Sequence, residues 1–326
     1  MRYRLTLILL AMLLVAGIVV GLLVGRGTAS DAATHEVLLT LRAYRLGAAV
    51  LAGAALAVGG VLMQGMFRNP LASPSVLGTT AGAALGGQTV LVAHAALGAV
   101  LPAWIAPEMV LPVGCILGAV MSLAVLLLVA GRSADTTVVL LTGVIMTSLF
   151  GSLSAFLTVM AQDSWELGRA VVAFSLGGLD GKGLRHLLLA TPLVLAGVGA
   201  AWAWGRPLDL MLSGEEEAAA LGVDVRRLSF WVLVWTAVLT AAAVAVGGGV
   251  AFVGLIVPHA LRPFTGVDHR RLIPAAALGG AVFLVWCDVA VRALPTRGEL
   301  PLGVITGLIG APVFLLILVR TRREGI

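Results

Sequence analysis

Side chains able to do chemistry are few in this sequence and poorly spaced for it. The five histidines, His35, His94, His186, His259 and His269, are scattered and never fall at a metal-ligand spacing. No Gly-x-Ser-x-Gly elbow and no pair of acids suited to general acid and base work appears. Gly181-Lys182 is the one Gly-Lys pair, but Gly183 follows it and Leu176 stands where a phosphate loop needs its first glycine, so there is no Walker A cradle. Cys115 and Cys287 lie in apolar stretches, where a thiol behaves as a small hydrophobe, and two cysteines make neither a disulfide framework nor a zinc site. No catalytic residue, metal ligand or cofactor of its own is therefore expected.

What remains is charge placed where it can touch a partner. Ser213-Gly-Glu-Glu-Glu-Ala-Ala-Ala-Leu-Gly222 reads as a two-turn helix. Ser213 and Glu216 form a capping box, the acids suit the positive end of the helix dipole, and Gly222 supplies a left-handed stop. Isolated helices below about 12–15 residues are marginal in water, so this one must lean on something. Two readings stand side by side: a local cap packed on its own bundle, or a short helix seated in a groove of a partner protein.

The elements that hold these charges must be membrane helices. Of the 326 residues 60% are apolar and 11% charged, where a soluble domain has about 45–50% and about 25%. The 41 glycines lie within apolar runs, where small residues let helices approach closely. Small residues spaced by four recur at Gly17, Gly21 and Gly25, at Gly78, Gly82 and Gly86, at Gly114 and Gly118, and at Gly303 and Gly307. The net charge of +5 comes from short loops without a basic stripe or interleaved aromatics, which argues against nucleic acid as a partner.

Runs free of Asp, Glu, Lys and Arg extend over Leu5–Gly25, Leu46–Phe67, Leu71–Pro107, Met109–Gly131, Thr136–Gln162, Leu187–Gly205, Leu228–Leu261 and Leu300–Val319. A further run, Leu272–Cys287, continues through Asp288 to Arg292. Such lengths suit helices and exceed barrel strands. The first run is longer than the about 7–15 residues of a signal-peptide core and is read as a crossing. The 34-residue run from Leu228 to Leu261 is too long for one untilted crossing and is expected to break at Gly247, Gly248 and Gly249, leaving a short helix from about Val250 to Leu261. Ten crossings follow, with both termini on one side. Placing that side in the cytoplasm puts thirteen basic residues inside and eight outside; nine crossings would reverse this to nine and twelve, so the positive-inside rule prefers ten.

Seven motifs, in order along the chain, carry a resemblance. They are Arg42-Ala-Tyr-Arg45-Leu, Gly53 to Gln64, Phe67 to Gly78, Gly214 to Val223, Phe252 to His259, Asp268-His-Arg270 and Glu299 to Gly303. Together they resemble the FecCD family of ABC-importer permeases, which import iron-siderophore chelates, haem or cobalamin. The resemblance implies an all-α polytopic membrane protein of ten transmembrane helices, an ABC type II importer permease bundle, in a single domain over 1–326 with a cytoplasmic coupling loop at 206–227. It implies a bacterial inner-membrane location with both termini cytoplasmic. The implied partners are a second permease copy in a homodimer, two ATPase subunits holding ATP and Mg, a periplasmic binding protein and the bilayer.

Roles follow by resemblance, residue by residue. Gly214, Glu215, Glu216, Glu217, Ala218, Leu221 and Gly222 match the coupling helix that enters the ATPase surface. Arg226 and Arg227, close behind, are read first as inside-positive anchors. Arg42, Arg45 and Arg292 match arginines that receive acidic residues of the binding protein; an ion pair between Arg292 and Asp288, one turn earlier, is the local alternative. Asn69, Leu71, Thr136 and Thr137 match cytoplasmic-gate positions, against local readings in which Asn69-Pro70 makes a turn and Asp135 or Thr136 caps a helix. The segment from Asp163 to Arg185 is expected to form a short helix and loop, with Arg169, Lys182 and Arg185 read first as solvated charges and, alternatively, as attractors of haem or siderophore carboxylates. An ion-coupled carrier is the rival function, disfavoured because the helices hold few carboxylates to bind a coupling ion.

Overall fold

The computed structural model describes residues 2–25, 32–97, 107–130, 136–294 and 300–323. Among these there are thirteen α-helices and no strand. In chain order they are α1 (Arg2–Leu23), α2 (Ala32–Met66), α3 (Thr79–Leu97), α4 (Pro107–Ala130), α5 (Thr136–Met160), α6 (Trp165–Ser175), α7 (Leu184–Ala203), α8 (Gly205–Met211), α9 (Glu215–Ala220), α10 (Val225–Gly247), α11 (Val253–Thr265), α12 (His269–Ala293) and α13 (Leu302–Arg323). A 3-10 turn, Pro74–Leu77, links α2 to α3. Seven helices, α1, α2, α4, α5, α7, α10 and α12, are long and apolar enough to cross a membrane.

The interior is built on α2, α10 and α12, whose apolar windows are mostly buried, while α1, α5 and α7 present most of theirs outward. In lipid there is no hydrophobic drive between helices, so close backbone packing carries the association. Glycines provide it. A Cβ on Gly53 of α2 would fall on the Gly280 carbonyl of α12, and one on Gly60 would fall on Gly254 of α11. The stripes foreseen at Gly82/Gly86 and Gly114/Gly118 meet each other across α3 and α4.

The long run beginning at Leu228 breaks where its three glycines stand. Helix α10 ends at Gly247, Gly248 takes φ 64°, and α11 starts at Val253 behind a left-handed Phe252 at φ 67°. That left-handed residue moves the start of α11 about one turn beyond the expected Val250. Unwound backbone inside a bundle must find hydrogen bonds within the protein. Here Gly249 N–H donates to the Phe174 carbonyl (3.1 Å), Leu302 N–H to Gly177 (2.8 Å) and Gly303 N–H to Leu176 (3.1 Å). The end of α6, the α10–α11 break and the start of α13 are thus tied together by main-chain groups.

Helix α2 exceeds its apolar run. Its 35 residues begin at Ala32, so Arg42 and Arg45 sit on a rigid helix rather than in a loop before one. Residues 32–46 hold four Leu, three Ala and two Arg, all good helix formers, and lack Gly and Pro.

Close glycine contacts give a direct stability test. Gly86→Ala would drive a methyl into the Gly114 carbonyl and should lower the stability of the detergent-solubilised chain by about 1–3 kcal/mol. Gly199→Ala on α7, where nothing lies within 4 Å, should leave the thermal midpoint unchanged or slightly raised.

Candidate functional site

At one end of the bundle a carboxylate organises three helices and a loop. Asp288 on α12 is fully buried. Arg45 Nε donates to its Oδ1 at 2.6 Å, and Arg292 Nη2 stands 2.8 Å from its Oδ2. The second contact is an ion pair without hydrogen-bond alignment, since neither of those two atoms has a hydrogen-bond partner. Arg45 also pairs through Nη1 with Asp180 of the loop before α7.

The remaining arginine donors close the end of α1. Arg292 Nη1 donates to the carbonyls of Gly21 (2.6 Å) and Val24 (2.7 Å), and Arg42 Nη1 donates to Leu22 (2.8 Å). The last carbonyls of a helix lack intrahelical partners and carry the negative end of its dipole, so two guanidinium groups satisfy both needs. The local alternative for Arg292 is therefore observed, in a buried site where its side chain is 8% exposed. The modest strength of such a pair on an exposed helix does not apply. Arg42, Arg45 and Arg292 line one cavity of about 360 Å³ together with Asp180 and Lys182.

Lys182 is the clearest departure from expectation, being buried rather than solvated. Its Nζ donates to the Ala245 carbonyl at 3.2 Å, in the last turn of α10, where a cation is favoured. Burial pushes its ammonium down to about 8. Arg169 and Arg185 are exposed. The expected short helix of this segment is α6, with Ser164 at its cap accepting from Leu167 N–H, Trp165 exposed and Phe174 buried.

At the other end lies α9. It starts at Glu215 with Gly214 as its cap residue at φ 130°, and no side chain caps it. The expected Ser213–Glu216 capping box is thus not formed, because the helix begins one residue later and Gly214 takes the extended entry that only glycine tolerates. The stop is as expected: Gly222 adopts φ 88°, its N–H donates to Ala219 (2.9 Å), and Val223 N–H donates to Ala218 (3.0 Å), which is a Schellman closure. Ala218 is fully buried against the bundle, while Glu215, Glu216, Glu217 and Leu221 are exposed, Leu221 by 65%. One face rests on the protein, and the acidic face with Leu221 is exposed. Arg226 and Arg227 are exposed just beyond it, at the start of α10.

Asn69 and Leu71 lie together in the turn after α2, where Leu71 N–H donates to Asn69 Oδ1 at 2.9 Å. The local turn reading is observed for them. Thr136 and Thr137 open α5, and their side chains lie outside the described residues. Asp180 and Asp209 were not foreseen. Asp209 accepts from His269, a contact across 60 residues that spacing cannot announce.

Removing one partner of a buried charge cluster strands the others. Asp288→Ala should destabilise the chain by about 3–5 kcal/mol, read as a lower thermal midpoint or reduced membrane yield. Asp288→Asn, which keeps an acceptor for Arg45, should lose less.

Comparison with known proteins follows the same outline. Residues 3–320 match the model of the FecCD transport family. The chain is 39% identical over 293 residues to the Fe(3+) dicitrate transport system permease protein FecD of Escherichia coli K12, covering 89% of this chain and 88% of that protein. It is 39% identical over 288 residues to the cobalamin import system permease protein BtuC of Halobacterium salinarum, covering 87% and 74%. Its fold superposes on a transporter described as metal-chelate type, in an inward-facing conformation, with TM-score 0.84, 31% identity and coverage of 97% and 99%. With an all-helical bundle, a family match over nearly its whole length and relatives that are import permeases, the chain belongs to the FecCD transport family, as a permease subunit of an ABC importer.

Proposed function

We propose that this permease works as a homodimer with two separate ATPase subunits and imports an iron chelate, haem or siderophore, or a corrinoid from periplasm to cytoplasm. The observation that carries the proposal is α9: a short helix anchored by Ala218 and presenting three carboxylates and Leu221 outward. Too short to be stable alone, it keeps its shape because the bundle supports it, as a part that must fit a partner's groove requires. Hydrolysis of ATP, with its Mg, belongs to the partner chains.

Ten crossings complete the topology when α3, α11 and α13 join the seven long spans. Both termini and α9 then face the cytoplasm, in keeping with the thirteen-to-eight distribution of basic residues. The outward apolar face of α5, with Leu141, Ile145, Leu149 and Phe156 exposed, supports a passage between two copies of that helix. Asn69, Leu71, Thr136 and Thr137 form the inner gate of that passage.

At the outer side, acidic residues of the binding protein meet Arg42 and Arg45, while Arg292, engaged with Asp288 and α1, orients them. Closure of the ATPase pair on ATP moves α9, and the bundle exchanges which face is open. Specificity lies chiefly in the binding protein, since the chain offers a mostly apolar lining.

Replacing Glu215, Glu216, Glu217 and Leu221 together by Ala should abolish ATP-driven uptake and release the ATPase subunits in a pull-down. The isolated chain should keep its thermal midpoint, because exposed substitutions usually change stability by about 0.5 kcal/mol or less. Uptake in proteoliposomes driven by an ion gradient without ATP would instead support a secondary carrier.

A further inference from the structure

We infer that Asp209 and His269 form the strut that passes displacement of α9 into the bundle; the inference rests on α9 being the helix seated in the ATPase. Asp209 lies on α8, joined to α9 by residues 212–214. Its Oδ1 accepts twice from the first residue of α12: from the backbone N–H of His269 at 2.9 Å and from His269 Nδ1–H at 2.6 Å. The proton is placed on Nδ1 because the carboxylate can only accept.

The imidazole has no room to swing. His269 is 2% exposed, and its Nε2 edge faces Gly65 at the end of α2, where a Cβ would come within 2.5 Å of that nitrogen. The next residue is held too: Arg270 lies over the Trp202 ring of α7 at 4.7 Å, with Gly205 of α8 against its side chain. A push on α8 therefore meets the first turn of α12 and, through the wedged ring, the end of α2.

Local capping does not account for Asp209. Helix α12 already has its own cap, since Asp268 accepts from Arg270 N–H at 2.9 Å. Asp209 is a second carboxylate at the same terminus, supplied by a different element. Rival routes from α9 are weaker. Ala218 makes only apolar contact, which can slide, and Arg68 approaches Glu215 at 3.9 Å with both side chains about half exposed, a geometry worth little. Two directional hydrogen bonds from a buried residue to one carboxylate are stiffer than either.

The test uses the complete transporter, permease with ATPase subunits and binding protein in proteoliposomes, measuring ATP hydrolysis and ATP-driven uptake of ferric dicitrate, haem and cobalamin side by side. For whichever of these the wild type takes up, Asp209→Ala should retain its ATPase subunits and hydrolyse ATP within about twofold of wild type, while uptake falls by about tenfold or more, the effect of losing hydrogen bonds of ordinary strength. Asp209→Asn keeps an acceptor oxygen for both N–H groups and should restore uptake. Gly65→Ala displaces the ring without changing any charge and should reproduce the split between hydrolysis and uptake.

Uptake at the wild-type level in Asp209→Ala would overturn the strut. So would a parallel fall of hydrolysis and uptake in both Asp209→Ala and Gly65→Ala, or loss of the ATPase subunits from Asp209→Ala. Retention of ATPase subunits by the quadruple α9 variant would instead overturn the seating of α9, so the two failures are told apart.

Discussion

A carboxylate with no access to water needs cations or hydrogen-bond donors beside it, and Asp288 sets that demand at its end of the bundle. Arg45 and Arg292 meet it, and their spare donors then recruit Asp180 and the last carbonyls of α1. One buried charge thereby fixes the mutual position of α1, α2, α12 and the loop before α7. The arginines at this end gain a defined direction from that network, because each guanidinium is held by groups from a second element.

The end that carries α9 is built on a different principle. Helix α9 has six residues and no side-chain cap, so its persistence comes from a glycine at each terminus and one alanine packed on the bundle. Its neighbour in the chain is α8, whose Asp209 engages α12 directly. A buried charge cluster thus organises one end of the bundle and a small supported helix stands at the other, with the long helices α2, α10 and α12 between them.

Much of this was readable in the residues, and what was missed shares one cause. The break after Gly247 was legible because 34 apolar residues cannot fit a bilayer straight and three glycines marked the weak point. Gly222 as a stop and the Asp288–Arg292 pair were legible because both depend on neighbours within a turn. Partners far apart along the chain were not. Nothing near Arg45 announces Asp180, 135 residues away, and nothing near Lys182 announces the Ala245 carbonyl that takes its proton donor inside. The capping box failed for a subtler reason: Ser213 and Glu216 have the right types and spacing, yet Gly214 offers a backbone path that starts the helix one residue later.

The knot joining the end of α6, the break after α10 and the start of α13 consists of amide and carbonyl groups alone. Because every residue type but proline carries both groups, the junction imposes almost no identity on the side chains around it beyond its glycines. Side chains around it can therefore change in size and polarity while the three segments stay joined.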